Sequence, residues 1–260
     1  MNYILALVCL VITYSGCGSM SALPIATPGV SVADPAGDKK TPVLVELFTS
    51  EGCSSCPPAD RLLIDIAGKQ PYKDVDVIAL GFHVDYWDHI GWRDRFSSRD
   101  FTNRQDEYSR QFRLDSIYTP QIVIDGETQV VGNDRKSVDE AVSKAHVAKA
   151  DVKIEVRGDK LAITVEKLAD QKGSTVFIAV AEDGLRSAVR AGENSGRTLE
   201  HAAVVRELRK VGSIDAGKQT FSGEFALPKN SEWKQDSVRY VVFVQDDSTK
   251  KIHGIGVTAR

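Results

Sequence analysis

Val43-Leu44-Val45-Glu46-Leu47-Phe48, then Glu51-Gly52-Cys53-Ser54-Ser55-Cys56-Pro57-Pro58, is the stretch on which the fold turns. The first six residues are mostly apolar, with β-branched and aromatic members, and read as a strand buried on both faces. Glu51-Gly52 breaks the strand. Prolines are tolerated in the first turn of a helix, whose N–H groups have no partner, so Pro57-Pro58 reads as a helix start. Leu62, Leu63 and Ile66 follow at helical spacing and face the sheet. A Cys-x-x-Cys pair at such a junction has a definite chemistry. Free N–H groups and the helix dipole favour negative charge on the first cysteine. That lowers its pKa and supplies thiolate, the nucleophile of disulfide exchange. Cys53 is thus the attacking residue, and Cys56, inside the first turn, resolves the mixed disulfide. The alternative is a static local disulfide or two unreactive thiols; the strand before the pair, the helix after it and a later X-Pro strand favour redox activity.

Val75 to Phe82 is a second apolar strand, making a right-handed βαβ unit with the first. The loop from His83 to Trp92 is dense in aromatic and acidic residues. Ser97 can cap a helix whose apolar side is Phe101, Tyr108 and Phe112. Tyr118-Thr119-Pro120 precedes the strand Gln121-Ile122-Val123-Ile124. Asp125-Gly126 is a hairpin signal, Gln129 to Val131 returns, and Ser137 caps a last helix running to about His146. After Lys149 the rhythm changes to short alternating strands around Val152 to Val156, Leu161 to Val165, Thr175 to Ala181, Thr220 to Phe225 and Val238 to Gln245. Such a run suggests a β-sandwich.

These pieces resemble thioredoxin-like proteins over residues 41–149, through Val43 to Phe48, Cys53 to Cys56, Tyr118-Thr119-Pro120, Asp125-Gly126 and Val131-Gly132. The resemblance implies a cis peptide at Thr119–Pro120. It also implies that Pro120 faces the cysteines and that Thr119 pairs with substrate backbone. Gly52 stands where a Trp would precede the first cysteine, and Ser54-Ser55 replaces Gly-Pro. An insertion fills roughly residues 83–117. The dipeptide between the cysteines helps set redox poise, so the direction of electron flow stays open. The run Glu46 to Asp60, with His83-Val84-Asp85-Tyr86-Trp87-Asp88 and Gly192 to His201, is similar to an uncharacterised secreted family, domain of unknown function 1223. That similarity spans nearly all of the mature chain. It implies two domains and no particular reaction.

The 260 residues carry 33 basic and 36 acidic side chains, for a formal charge of −3. Without a basic excess to neutralise phosphates, nucleic acid is not an expected partner. Ile4 to Ile12 is too short to cross a bilayer but fits the apolar region of an export signal. Ser15-Gly16-Cys17 resembles a lipoprotein cleavage box, with Cys17 lipidated as the new N-terminus; cleavage near Ala22 is the alternative. Residues 1–22 are read as the signal and 23–40 as a flexible tether. Contact with a membrane is expected only through the lipid.

Of four cysteines, Cys9 leaves with the signal and Cys17 is lipidated or removed. The remaining pair is too small for a closed structural zinc site of cysteines, which wants four ligands. Glu46, in a buried strand, is a candidate to accept a proton from Cys56; a Lys or Arg partner at the strand edge is the alternative. His83 and Asp85 follow the second parallel strand at the edge that carries Cys53. They are candidates for a proton relay, and His83 for a third metal ligand. A hydrogen-bonded loop histidine is the simpler reading. Trp87 and Trp92 read as a peptide groove or as packing of the insertion. His201 reads as structural. Arg93, Arg95, Arg99, Arg104, Arg110 and Arg113, interleaved with acids, read as a solvated face.

The expectation is a thioredoxin-like α/β domain at 41–150 followed by an all-β sandwich-like domain at 151–260, exported to the periplasm or cell envelope. The leading function is thiol–disulfide exchange on a protein or small-molecule thiol or disulfide, with no cofactor and no resident metal. Cys53, Cys56, Thr119 and Pro120 carry it. Two alternatives stand beside it: a soft-metal (copper) binding protein using the same cysteines, and a non-catalytic binding lipoprotein. Substrate and oligomeric state are not legible.

Overall fold

The computed structural model describes residues 40–145, 147–169 and 172–258. The expected export signal, the tether up to Lys39 and the lipidation of Cys17 lie outside them.

The chain begins as read. β1 (Thr41–Thr49) leads through the cysteine loop into α1 (Pro57–Lys69) and back to β2 (Val75–His83). β1 and β2 pair in parallel along their full length. α2 (Arg99–Phe112) starts one residue later than the Ser97 signal suggested: the Ser98 side chain accepts the Asp100 N–H. Ser97 instead donates to Asp88 at 2.8 Å. The peptide bond between Thr119 and Pro120 is cis. β3 (Gln121–Ile124) and β4 (Thr128–Val131) form the expected hairpin. Asp125 and Gly126 take its positive φ values, +51° and +69°, which the turn's handedness requires. Asp134, rather than Ser137, is the N-cap of α3 (Arg135–Lys144).

The second half holds β5 (Ala150–Arg157), β6 (Lys160–Glu166), β7 (Ser174–Glu182), β8 (Leu185–Ala188), β9 (Thr198–His201), β10 (Val204–Ile214), β11 (Phe221–Ala226), β12 (Val238–Asp246) and β13 (Ile252–Val257). Here the expected fold class is overturned. These strands do not build a sandwich of their own, and the first half is not a helix-flanked thioredoxin-like domain standing alone. Eleven strands share one mixed sheet in the order β11-β6-β5-β13-β12-β7-β10-β2-β1-β3-β4. Among the described residues only β8 and β9 stand apart, as a two-stranded sheet.

The physical reason lies at the outer edge of β2. A bare strand edge presents unpaired N–H and C=O groups that a neighbouring strand satisfies. β10 takes that edge in parallel, with Val204 opposite Gly81, and the Gly81 N–H reaches the Ala203 carbonyl at 2.8 Å. A Cβ at Gly81 would lie 3.1 Å from the Ala202 carbonyl oxygen, so glycine suits the close approach. Packing follows the continuous sheet. One core joins Val45, Phe48, Leu80 and Phe82 of the first half to Ala181, Val205, Val241 and Phe243 of the second. Alternate residues of β7 and β12 (Val176, Ile178, Val180, Val242, Val244) face a second core with Leu161, Ile163 and Val165 of β6.

Candidate functional site

Cys53 and Cys56 form a disulfide with their Cα atoms 5.4 Å apart. Cys56 is the N-cap of α1, so the pair sits at the strand-to-helix junction that the sequence indicates. The surroundings were not expected. Both cysteines are 0% exposed, while Ser54 and Ser55 between them face solvent. Part of these surroundings comes from the second half. Between β8 and β9 the chain makes a loop whose tip reaches the disulfide. There the buried Asn194 donates through Nδ2 to the carbonyls of Glu51 and Cys53, each at 2.9 Å. Arg197 Nη1 steadies the Asn194 oxygen at 3.1 Å. Glu193 accepts the Ser54 N–H at 3.0 Å, and the Ser54 hydroxyl together with that N–H holds its carboxyl below the ordinary range. Gly192, at φ +73°, passes so close to the insertion that a Cβ would lie 3.1 Å from the Ile90 carbonyl oxygen.

Thr119 and Pro120 connect to the cysteine turn through intermediate residues. Trp87 Nε1 donates to Thr119 Oγ1 at 2.8 Å. The Trp87 Cβ lies 3.1 Å from where a Gly52 Cβ would be, so glycine immediately before Cys53 makes room for this tryptophan. Pro120, Leu47 and Ala59 of α1 converge on Gly132, each within 3.3 Å of a would-be Cβ there.

Behind the disulfide lies a closed group of ionisable side chains. Glu51, at 0% exposure, accepts from Trp92 Nε1 at 2.7 Å. Its other oxygen is 3.4 Å from His201 Nε2. His201 Nδ1 is 3.8 Å from Asp60 of α1, which in turn accepts from Thr49 Oγ1 at 3.2 Å. At those distances neither imidazole nitrogen makes a well-formed hydrogen bond, so the attraction is chiefly coulombic. Burial pulls the His201 pKa down, but the Asp60 and Glu51 carboxylates outweigh it and raise the value to about 9. Burial pushes the Glu51 carboxyl up, and contacts from His201, Ser187 and Trp92 bring it below its ordinary value. His83 belongs to the same group. Its Nδ1 lies 2.6 Å from Asp94, whose same oxygen accepts the Glu51 N–H at 2.9 Å. The His83 and His201 rings meet edge-on, with centroids 4.8 Å apart.

The structure therefore links the cysteine turn to Thr119 through Trp87, to Pro120 through Gly132 and Ala59, and to His83 through Asp94 and Glu51, and it gives Glu46 and Asp85 other partners. Side chains alternate along β1. Thr49 meets Asp60 of α1, and Glu46 projects from the opposite face toward α2. There it accepts from Arg104 Nε at 2.7 Å and from the Tyr108 hydroxyl. Arg104, expected on a solvated face, is 5% exposed. It also donates to Gln245 of β12 at 3.1 Å and lies against the rings of Phe82, Tyr108, Phe177 and Phe243. Asp85 accepts from Thr102 at 2.6 Å and serves the α2 surface. Among the described residues no group of three or more His, Cys, Asp or Glu is arranged to hold a metal ion.

Glu51, Asp60, Asp94, Asn194 and His201 were not singled out from sequence as site residues. Three of them fall within or just before the cysteine helix or in the adjoining insertion. Only the pairing of β8 with β9 carries Asn194 and His201 to that place.

Among curated proteins, none matches the chain in sequence. The crystal structure of a protein from Agrobacterium tumefaciens is similar, with 27% identity, a TM-score of 0.69, and coverage of 85% of this chain and 95% of that one. HBP35 of Porphyromonas gingivalis is similar in fold, with 16% identity, a TM-score of 0.52, and coverage of 85% and 76%. The family described as a protein of unknown function, DUF1223, matches residues 44–245. That span takes in the cysteine helix, the ionisable group and the loop bonded to the cysteine turn, and the chain belongs to the DUF1223 family.

Proposed function

We propose that the protein is a thiol–disulfide oxidoreductase working through Cys53 and Cys56, in a chain exported from the reducing cytoplasm. The observation that carries the reading is the position of the disulfide. It lies at the N-terminus of α1, where thiolate is favoured, and it is backed by buried acid–base groups rather than by apolar packing alone. A disulfide used only as a staple needs neither feature. The oxidised pair and the apolar N-terminal run both suit an oxidising compartment. Cys53 is fully buried and the 189–197 loop is bonded to the cysteine turn, so in this reading exchange begins with that loop swinging away from Ser54 and Glu51.

That same burial favours a second reading, in which the pair is a structural staple beneath the loop. The reduction potential separates the two. Equilibration of the full chain with glutathione buffers is expected to give a value between about −120 and −270 mV, the range of catalytic exchangers. A value below about −300 mV would overturn the oxidoreductase reading in favour of the staple.

A further inference from the structure

We propose that His201 is a positioning residue for the redox chemistry of the cysteine pair: held between Glu51 and Asp60, its cation offsets the two buried carboxylates that bracket the pair and so permits a thiolate on the reduced cysteines. The inference rests on the exchange reading and names the group that supports it.

Three observations carry it. Glu51 precedes Cys53 by two residues, and Asp60 follows Cys56 by one helical turn, its N–H on the Cys56 carbonyl at 3.1 Å. Residues four apart lie on one helix face, so Asp60 projects from the Cys56 side of α1. Second, both carboxylates converge on one ring, at 3.4 and 3.8 Å. Third, that ring is 2% exposed and neither nitrogen has a hydrogen-bond partner. A neutral imidazole so placed would leave two polar atoms unsatisfied, which is costly in the interior; an imidazolium between two carboxylates has a reason to be there. The other groups facing it are His83 of β2, whose Nδ1 is held by Asp94, and the Phe96 ring at 5.8 Å. The Ser187 hydroxyl of β8 acts on Glu51.

The chemistry balances with a thiol as reductant. A first thiolate RS⁻ attacks Cys53 Sγ: the RS–Sγ bond forms, the Sγ–Sγ bond breaks, and its electron pair leaves on Cys56 Sγ. A second thiolate attacks the RS sulfur, RSSR departs, and the electron pair of that bond stays on Cys53 Sγ. The cysteines gain two electrons, two thiols are oxidised, and the two thiol protons pass to solvent or to the cysteines. One sulfur that remains a thiolate would lie near Glu51 and Asp60. Like charges in a poorly solvated site oppose ionisation; His201 supplies the opposite charge.

Thermodynamic reciprocity provides the test. If imidazolium and thiolate stabilise each other, the His201 pKa, read by NMR of its ring in the full chain, rises on reduction. The rise should be at least one unit, about tenfold in proton affinity. His201→Gln should lower the thiolate fraction of the reduced protein at neutral pH by the same factor, followed by thiolate absorbance. Adding Glu51→Gln to His201→Gln should return it toward the wild-type value, which a merely structural role would not do. An equal His201 pKa in both redox states overturns the proposal, as does an unchanged thiolate titration in His201→Gln. Should that variant fail to fold, the wild-type NMR comparison decides alone. A pair that never exchanges with glutathione defeats the exchange reading by itself, because phosphine reduction still allows both titrations.

Discussion

Asn194→Ala is the perturbation that most directly probes how the disulfide is reached. The side chain donates twice, to the carbonyls of Glu51 and Cys53, both at 2.9 Å and both inside the covered site. A buried acceptor left without its donor costs about 1–3 kcal/mol. In the open state the same carbonyls meet water, so the penalty falls on the closed state alone. Taking about 1 kcal/mol for each of the two bonds, opening becomes easier by about 2 kcal/mol, or roughly 30-fold in the equilibrium constant. With opening fast relative to chemistry, the rate of reduction scales with the open population. The assay is the pseudo-first-order reduction of Cys53–Cys56 by a small thiol, quenched by alkylation. Asn194→Ala is expected to react about 10- to 30-fold faster than wild type, with circular dichroism unchanged. A rate within about twofold of wild type would rule this account out, since the sulfurs would then be reached without moving the loop.

Arg104→Met removes the cation that holds Glu46 inside the protein. An uncompensated buried carboxylate of this kind costs about 3–5 kcal/mol, and urea denaturation should show that loss, with Glu46→Gln in the same chain recovering part of it. Stability should also fall with rising alkalinity. The His201 pKa is raised from 6.5 to about 9, so the folded state binds the extra proton and its contribution is complete below about pH 6.5. It is lost as pH climbs through about 9, roughly 3 kcal/mol in all. Denaturation midpoints across that window check this, and His201→Gln should flatten the curve. Gly126→Ala would place a Cβ 1.9 Å from the Lys250 carbonyl oxygen at a φ of +69°. Since backbone and not a pliable side chain stands in the way, the hairpin must shift. Loss of more than about 4 kcal/mol is expected in thermal or chemical melts; a near-neutral variant would show that the β3–β4 turn can move freely.

Much of the first half was legible because its signals are local. Apolar runs bounded by breakers mark β1 and β2, paired prolines mark the start of α1, and Asp125-Gly126 marks a turn that demands positive φ. The Glu46 alternatives are settled by a partner 58 positions along the chain. A charged residue inside a buried strand announces that a counter-charge exists, but not which of the six weighed arginines supplies it. β10 escaped notice for a related reason. Arg206, Glu207, Arg209 and Lys210 interrupt any alternation in Val204–Ile214, and the strand pairs with β7 through two register shifts.

Local sequence was enough for the cysteine junction, the βαβ unit, the X-Pro hairpin, and several of the later strands one by one. These follow from periodicity, turn chemistry and helix-end preferences, all of which act within a few residues. The packed fold settled the rest: that the two halves share one sheet, that a loop from the second half bonds to the cysteine turn, and that Glu51 and Asp60 meet at His201. Strand edges are satisfied by whichever backbone arrives in register, and charges pair across space. Neither choice leaves a periodic trace in the chain, so both are settled only when the packed structure forms.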